Sequence, residues 1–186
     1  MTLEPGPYIQ TLSGRRVNPF DASPEDIDPA DIATALSNLC RFGGHSSAFY
    51  SVAQHSVIVS DLLAATGASP DAVMAALLHD AAEAYLGDLP HPLKHRSELG
   101  AHFKAAEKNL EAVIERRFVL PDAAARIKAI DRALLATERR TFSRVAWNWP
   151  ELDGVEALDI EIEPWPPERA AREFLERYER LEAARR

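Results

Sequence analysis

Helix-starting signals recur along this sequence and constrain its fold more than any other feature. Ser23 and Ser69, two residues able to cap a helix, each stand directly before a proline, which a helix tolerates well in its first turn. Several stretches also carry residues three and four positions apart that would form one helix face. The clearest of these stripes are Val52, His55, Val59 and Leu62; Phe103, Ala106, Leu110 and Val113; and Phe174, Tyr178 and Leu181. After residue 22 no stretch alternates as a strand would, so the sequence predicts an all-α helical bundle.

Glycines and prolines divide the chain into predicted elements. Helices are expected over a short stretch from Ser23, from about Asp31 to Cys40, from Ser46 or Ser47 to about Thr66, from Ser69 to Gly87, from about 98 to 117, from Pro121 onwards, and over about 167–184. Pro90 and Pro92 predict a loop over residues 88–97, because proline interrupts a regular helix. Residues 147–167 hold all three tryptophans and four prolines, and predict an extended segment that crosses the core. Residues 1–22 predict a short hairpin or irregular lead-in.

Length, charge and cysteine content limit the class of protein. The 186 residues suit a single domain, with residues 30–145 as its core and residues 147–186 as the crossing segment and a docking helix. A formal net charge of −8 argues against nucleic-acid binding. No apolar run approaches the roughly 18 residues of a membrane span, and the first residues lack the apolar stretch of a signal peptide. With Cys40 as its one cysteine, the chain is expected to be cytoplasmic and to have no membrane partner.

An adjacent histidine and aspartate interrupt an apolar part of the sequence. His79 and Asp80 directly follow the apolar residues 74–78, which indicates that the pair is buried. Burial of such groups is costly unless they are paired or bind a metal. Glu83 follows His79 by four positions and Asp80 by three, so all three side chains are expected close to one helix face.

Two further residues able to bind a metal stand in apolar stripes on other predicted helices. They are His55, within Gln54-His55-Ser56-Val57, and Asp131, within Ile130-Asp131-Arg132. Each of them alone would more often be a hydrogen-bonded core residue. Together with His79 and Asp80 they form a set of two imidazoles and two carboxylates, which suits Zn²⁺, Mn²⁺, Co²⁺ or Fe.

The order of these four residues resembles a known signature. His55, then His79-Asp80, then Asp131 matches the H…HD…D pattern of the HD-domain metal-dependent phosphohydrolases, over about residues 30–145. The most specific part is the string His79-Asp80-x-x-Glu83-x-x-x-Gly87-Asp88-Leu89-Pro90-x-Pro92-x-Lys94. That string resembles the bacterial 5'-deoxynucleotidases, and it is also similar to small deoxynucleoside triphosphate triphosphohydrolases.

The resemblance implies a metal site and a catalytic carboxylate. It assigns His55, His79, Asp80 and Asp131 as ligands of one divalent transition metal, Zn, Mn, Co or Fe. Mg²⁺ that enters with the substrate is a further option beside this metal. The resemblance also assigns Glu83, together with Asp80, to catalysis: the Glu83 carboxylate would position the attacking water or exchange a proton with it.

The resemblance also implies substrate contacts. Arg41 and Phe42 precede His55 much as an Arg-Trp pair does in the deoxynucleotidases. Arg41 would grip the phosphate as a planar fork, and Phe42, which stands where those relatives have Trp, would pack against the sugar and disfavour a 2'-hydroxyl. Asp88 would contact the sugar, and Lys94 is a second candidate for the phosphate. The alternatives are a surface ion pair for Arg41, a turn residue for Asp88 and a solvated Lys94.

The function that the resemblance implies most directly is hydrolysis of a deoxyribonucleoside 5'-monophosphate to nucleoside and phosphate. Release of triphosphate from a deoxynucleoside triphosphate is the alternative reaction, since it would use the same metal ligands. A helical sensor that binds a nucleotide without cleaving it is the alternative outside enzymes. The expected partner is therefore a small nucleotide, and the C-terminal helix with the Trp-Pro segment leaves a homodimer open.

Overall fold

The computed structural model describes residues 6–145 and 147–186, and it confirms the all-α fold. The helices are α1 Pro29–Asn38, α2 Val52–Ala65, α3 Pro70–Leu77, α4 Glu83–Leu86, α5 His91–Arg96, α6 Glu98–Phe118, α7 Ala124–Phe142 and α8 Pro167–Ala184. Short 3-10 turns lie at Pro24–Asp26, Arg41–Gly44 and Pro150–Leu152. None of the helices in this described part of the chain has the length and apolarity needed to cross a bilayer.

The predicted lead-in is a two-stranded hairpin within the part of residues 1–22 that is described. Strands β1 (Ile9–Gln10) and β2 (Arg16–Val17) pair antiparallel, with Ile9 opposite Val17. The Ser13 backbone N–H and hydroxyl donate to the Asp31 carboxylate at 2.8 and 2.6 Å. The hairpin is thereby anchored to the first turn of α1. Residues 1–5 lie outside the described residues.

Helix α2 begins later than predicted. Its cap is Ser51, whose side chain accepts a hydrogen bond from the Gln54 N–H, so the cap predicted at Ser46 or Ser47 is wrong. The Ser46 hydroxyl donates instead to the Ala48 carbonyl at 2.6 Å. Cys40 and Ser51 form an isolated antiparallel bridge, which holds the backbone extended up to Ser51 and delays the helix.

The single helix predicted from Ser69 to Gly87 is interrupted, so that prediction is also wrong. Helix α3 ends at Leu77 and α4 begins at Glu83. Between them the backbone uses i to i−3 hydrogen bonds, from the Ala81 N–H to the Leu78 carbonyl and from the Glu83 N–H to the Asp80 carbonyl, each 3.0 Å. Such bonds wind the chain more tightly than an α-helix. His79 and Asp80 lie in this tighter stretch.

The loop predicted over residues 88–97 contains a short helix, α5. Pro90 is its cap residue and Pro92 lies in its first turn. The first turn of a helix has no internal acceptor for its N–H groups, so a proline there loses no hydrogen bond. The two prolines therefore begin a helix where they were predicted to prevent one.

The core has two parts, and the candidate site lies where they meet. In one part α8 packs on α1, α2 and α3 and buries Phe174 and Leu181, as the predicted docking stripe requires. In the other, the Tyr50 ring stacks on Phe142 with centroids 4.7 Å apart. Residues 153–166 cross between them without helix or strand, held at Gln54, whose amide oxygen accepts from the Trp165 N–H at 2.9 Å.

Candidate functional site

Three side-chain atoms from two segments converge at the centre of the molecule. His55 projects from the first turn of α2, and His79 and Asp80 come from the tightened stretch after α3. The two Nε2 atoms of the histidines are 3.3 Å apart. Asp80 Oδ2 is 3.3 Å from His79 Nε2 and 3.6 Å from His55 Nε2. Consecutive side chains of a regular α-helix point about 100° apart, yet His79 and Asp80 both reach this one point from the stretch between α3 and α4.

Asp131, the fourth predicted ligand, lies beside this group. Its Oδ1 is 3.2 Å from His55 Nε2. The atoms of His55, His79 and Asp80 all lie within 4.8 Å of one another, and Asp131 adjoins this set on the His55 side. Three of the four predicted ligands thus converge, and α7 brings the fourth into contact with them.

The donor chemistry of the cluster fits a cation. His79 Nδ1 is 2.8 Å from the Ala76 carbonyl, and His55 Nδ1 is 2.6 Å from Glu138 Oε1. Both partners only accept hydrogen bonds, so each Nδ1 must carry a hydrogen, and each neutral imidazole then has its lone pair on Nε2. Two lone pairs at 3.3 Å that also face carboxylate oxygens repel one another unless a positive charge lies between them. Mixed imidazole and carboxylate ligands are typical of divalent transition metals.

The electrostatics of the cluster point the same way. Burial and Arg41 would lower the pKa of His55, but Glu138 and Asp131 outweigh them and raise it to about 9. Burial alone would raise the pKa of Asp131, and the hydrogen bond and charge of His55 lower it instead. The site therefore attracts a proton strongly where no other cation is bound, and the same charges attract a metal ion.

Glu83 lies at the start of α4, close to the cluster. Its Oε2 atom is buried and has no hydrogen-bond partner among the described residues. Burial, Asp80 and Asp88 together raise the pKa of Glu83 well above its usual value, against the opposing charges of Arg41 and Lys94. An unpaired buried carboxyl oxygen is costly to the fold, so its position at the site marks it as available for a ligand.

The two predicted phosphate-binding cations are each held by a buried carboxylate. Arg41 donates through Nε and Nη2 to Glu138 Oε2 at 3.2 and 2.9 Å, and its Nη1 is 3.7 Å from Asp80 Oδ2. The Lys94 ammonium donates to Glu107 Oε1 at 2.7 Å. Arg41 is therefore part of the cluster, whereas Lys94 lines the cavity beside it.

Asp88 lies just past Gly87, where the chain turns after α4, as predicted. Burial raises the pKa of Asp88, while the charges of Arg41 and Lys94 act against that shift. The structure therefore places Asp88 within electrostatic reach of both predicted phosphate contacts.

Phe42 adopts an unusual backbone conformation beside the cluster. Its φ of 59° and ψ of 24° are left-handed, a region that bulky residues rarely enter. The Phe42 ring lies 6.2 Å from the Trp149 ring, measured between centroids. Trp149 comes from the crossing segment, where the tryptophans are expected to hold that segment on the core rather than to line the site, yet its ring enlarges the aromatic surface at Phe42.

Glu138 is the other residue that sequence reasoning missed. It is fully buried on α7, and it accepts hydrogen bonds from Tyr50, His55 and Arg41. Burial would raise the pKa of Glu138, but Arg41 and His55 lower it to about 2, so the group is ionised. Its spacing of seven residues from Asp131, two turns of the same helix face, is the signal that could have drawn attention to it.

An open cavity of about 790 Å³ adjoins the cluster. His79, Asp80 and Asp131 line one part of it, and Lys94 and Lys128 contribute to its walls. The cavity lies within the size range of small-molecule sites. A small molecule can therefore approach the cluster.

Comparison with known proteins identifies the family. The model of the HD domain matches residues 52–163, more than half of the chain. YfdR of Escherichia coli K12, an uncharacterized protein, is 39% identical over 182 residues, which cover 96% of this chain and 98% of that one. An uncharacterized protein of Rhodobacter capsulatus is 36% identical over 180 residues, covering 88% and 91%. The chain therefore belongs to the HD-domain family, and this membership indicates a metal-dependent phosphohydrolase.

Proposed function

We propose that this protein hydrolyses deoxyribonucleoside 5'-monophosphates to nucleoside and phosphate. The observation that carries the proposal is the convergence of His55, His79 and Asp80 beside the buried, unpaired Oε2 of Glu83. His79 and Asp80 of this cluster line the open cavity of about 790 Å³. A metal site with an adjacent free carboxyl oxygen is what phosphate ester hydrolysis requires.

His55, His79, Asp80 and Asp131 would hold the metal. A bound divalent cation supplies Lewis-acid polarisation of the phosphoryl group and lowers the pKa of bound water. The four side chains come from α2, α7 and the tightened stretch after α3, all of which pack in the core. Their positions are therefore set before a substrate arrives.

Glu83 would move the proton of the reaction. Hydrolysis breaks the bond between phosphorus and the 5'-oxygen, so the attacking water loses a proton and the leaving oxygen gains one. Glu83 Oε2 has no competing hydrogen bond among the described residues, which leaves it able to accept the proton from water.

Arg41, Lys94, Phe42 and Asp88 would bind the substrate. Arg41 Nε and Nη2 donate hydrogen bonds to Glu138, and the hydrogens of Nη1 would bind a phosphate oxygen. Asp88 would accept from a sugar hydroxyl. Phe42, supported by Trp149, would pack against the sugar where a 2'-hydroxyl is unfavourable. Lys94 would contact the phosphate from the cavity wall.

A deoxynucleoside triphosphate is the second candidate substrate. Lys94 and Lys128 both line the cavity that adjoins the metal ligands. Two cations at some distance from the metal would suit the outer phosphates of a triphosphate. The cleaved bond would then release the intact triphosphate group.

A panel of nucleotides assayed with Mn²⁺, Zn²⁺, Co²⁺, Fe²⁺ and Mg²⁺ tests the proposal. Ribo- and deoxyribonucleoside mono- and triphosphates are compared, and phosphate is separated from triphosphate among the products. We expect phosphate from deoxyribonucleoside monophosphates, and none from the His79→Ala variant. Triphosphate release would support the second candidate. Nucleotide binding without cleavage under every metal would favour the sensor.

A further inference from the structure

We propose that Glu138 is a positioning residue of the metal centre, which orients the metal ligand His55 and the phosphate-binding Arg41 at the same time. The inference rests on the proposed function in taking His55 as a metal ligand and Arg41 as a phosphate contact. It concerns a residue outside the H…HD…D pattern, on a part of α7 that the sequence marked only by its spacing from Asp131.

The Glu138 carboxylate is saturated by hydrogen bonds although it is fully buried. Its Oε1 accepts from the Tyr50 hydroxyl at 2.8 Å and from His55 Nδ1 at 2.6 Å. Its Oε2 accepts from Arg41 Nε and Nη2 at 3.2 and 2.9 Å. Four donors from three residues outside α7 thus meet one carboxylate, which can accept from all of them only when it is ionised.

The contact with His55 determines which ring nitrogen faces the cluster. Because Glu138 Oε1 accepts at Nδ1, the hydrogen of the neutral ring is on Nδ1 and the lone pair is on Nε2. Nε2 is the atom that faces His79, Asp80 and Asp131. Carboxylates that accept from the outer nitrogen of a ligand histidine fix its orientation and make it a better ligand.

The contact with Arg41 determines which edge of the guanidinium is free. Nε and Nη2 are both engaged with Glu138, so the plane of the group is fixed by two bonds. Nη1 is then directed towards Asp80, at 3.7 Å from its Oδ2. A single carboxylate therefore sets both the nitrogen that meets the metal and the edge that meets the phosphate.

The alternative is a purely structural role, in which Glu138 only neutralises the buried charge of Arg41. The two roles differ in what a neutral replacement does. Glu138→Gln keeps the shape but has one acceptor oxygen and one NH₂ group. If the NH₂ faces His55, it favours the tautomer with hydrogen on Nε2; if it faces Arg41, two donors oppose each other. A structural role predicts lower stability alone, whereas positioning also predicts weaker metal binding.

Thr137→Val supplies the matched control. Thr137 is the buried neighbour of Glu138 on α7, and its hydroxyl accepts from the Leu158 N–H at 2.8 Å and donates to the Ala133 carbonyl. The valine keeps the volume and removes these bonds without a contact to the metal ligands. It therefore reports the loss of a buried hydrogen bond at the same place in the fold.

The experiment titrates the metal-free full chain with Mn²⁺ by calorimetry and follows thermal unfolding of the same samples. We expect Glu138→Gln to weaken Mn²⁺ binding by roughly 10–100-fold, with Thr137→Val within about threefold of the parent. Parental Mn²⁺ affinity in Glu138→Gln overturns the inference, and so does equal weakening in both variants. Failure of the parent to hydrolyse nucleotides, with Mn²⁺ binding retained, would count against the proposed function alone.

A second measurement needs no substitution and holds if Glu138→Gln fails to fold. The parent chain, labelled with ¹⁵N-histidine and loaded with Zn²⁺, is observed by NMR. We expect the His55 Nδ1 hydrogen to be protected from exchange and Nε2 to carry the shift of a metal-bound nitrogen. A His55 ring with hydrogen on Nε2, or bound to zinc through Nδ1, overturns the inference.

Discussion

The two sides of the candidate site differ in how their carboxylates are satisfied. On the α7 side, Glu138 is fully buried and accepts four hydrogen bonds, from Tyr50, His55 and Arg41. On the α4 side, Glu83 Oε2 is also buried but has no partner among the described residues. The pKa of Glu138 is lowered to about 2, whereas that of Glu83 is raised. A saturated carboxylate holds other groups in place, and an unsatisfied one is free to react.

The largest effect is expected where the two sides meet, at the cluster itself. His79→Ala or Asp80→Ala removes an atom that lies within 4.8 Å of the other two in the converging set. We expect loss of metal and of hydrolysis, beyond the roughly 10–100-fold typical of outer partners, with helical content unchanged. Elemental analysis and circular dichroism check this. Full metal content in both variants would contradict the ligand assignment.

Glu83→Gln tests the unsatisfied side alone. The amide keeps the shape of the side chain but cannot accept a proton, so turnover is expected to fall by about 10²–10⁴-fold. Metal content is expected to stay at the parental level, because Glu83 is not among the predicted ligands. Turnover and metal are measured on the same sample. Near-parental turnover would remove Glu83 from the mechanism and leave its unpaired oxygen without a role.

Much of this arrangement could be predicted from the sequence. The parts that could not be predicted were hidden for physical reasons. Helical spacing and caps predict the fold class, and His55, His79 and Asp80 are brought together as the signature implies. The break after Leu77 was not predicted, because the same apolar pattern is expected for a continuous α-helix and for a helix interrupted by tighter turns. Glu138 was not recognised as part of the site, because its burial depends on Arg41, 97 residues away in the sequence.

Arg41 joins the two sides, and its substitutions separate structure from binding. Arg41→Ala leaves Glu138 buried without its cation, which typically costs about 3–5 kcal/mol of stability. Arg41→Lys keeps a positive charge near Glu138, but a lysine cannot bind Glu138 through two nitrogens and also offer a third nitrogen to a phosphate. The loss of a charge-assisted hydrogen bond, about 1.5–3 kcal/mol, should lower kcat/KM by roughly ten- to a hundred-fold in Arg41→Lys. Unchanged kcat/KM in that variant would move the phosphate site, with Lys94 the next candidate.

Substitutions of Phe42 test whether the candidate site also selects deoxyribose over ribose. Phe42→Gly removes the ring and suits the positive φ of 59° at this position, so the turn is expected to persist. Ribonucleotides should gain several-fold relative to deoxyribonucleotides, as Trp149 still supplies part of the aromatic surface. Phe42→Ala, which lacks the conformational freedom of glycine, is the matched variant. Equal use of both sugars by the parent protein would contradict the deoxynucleotide proposal.

The smallest effect is expected far from the site, at a second saturated carboxylate. Burial would raise the pKa of Asp31, but hydrogen bonds from Ser13 lower it. Because the pKa of Asp31 is lower in the folded chain, its bonds with Ser13 stabilise the fold at pH values above the pKa of an unfolded aspartate, about 3.9. This stabilisation is lost as the pH falls through the pKa of Asp31 in the folded chain.

Ser13→Ala removes the 2.6 Å bond from the hydroxyl and leaves the backbone bond at 2.8 Å. We expect about 0.5–1.5 kcal/mol of lost stability at pH 7 in urea unfolding, with parental kcat/KM. The difference between parent and variant should shrink below about pH 4, since protonation of Asp31 weakens the same bond. A difference that stays constant down to about pH 2.5, well below the unfolded pKa, would show that Ser13 acts on the hairpin without Asp31. The charge of Asp31 would then contribute little to anchoring the hairpin, and the contrast between hydrogen-bonded carboxylates and the unpaired Glu83 would be weaker.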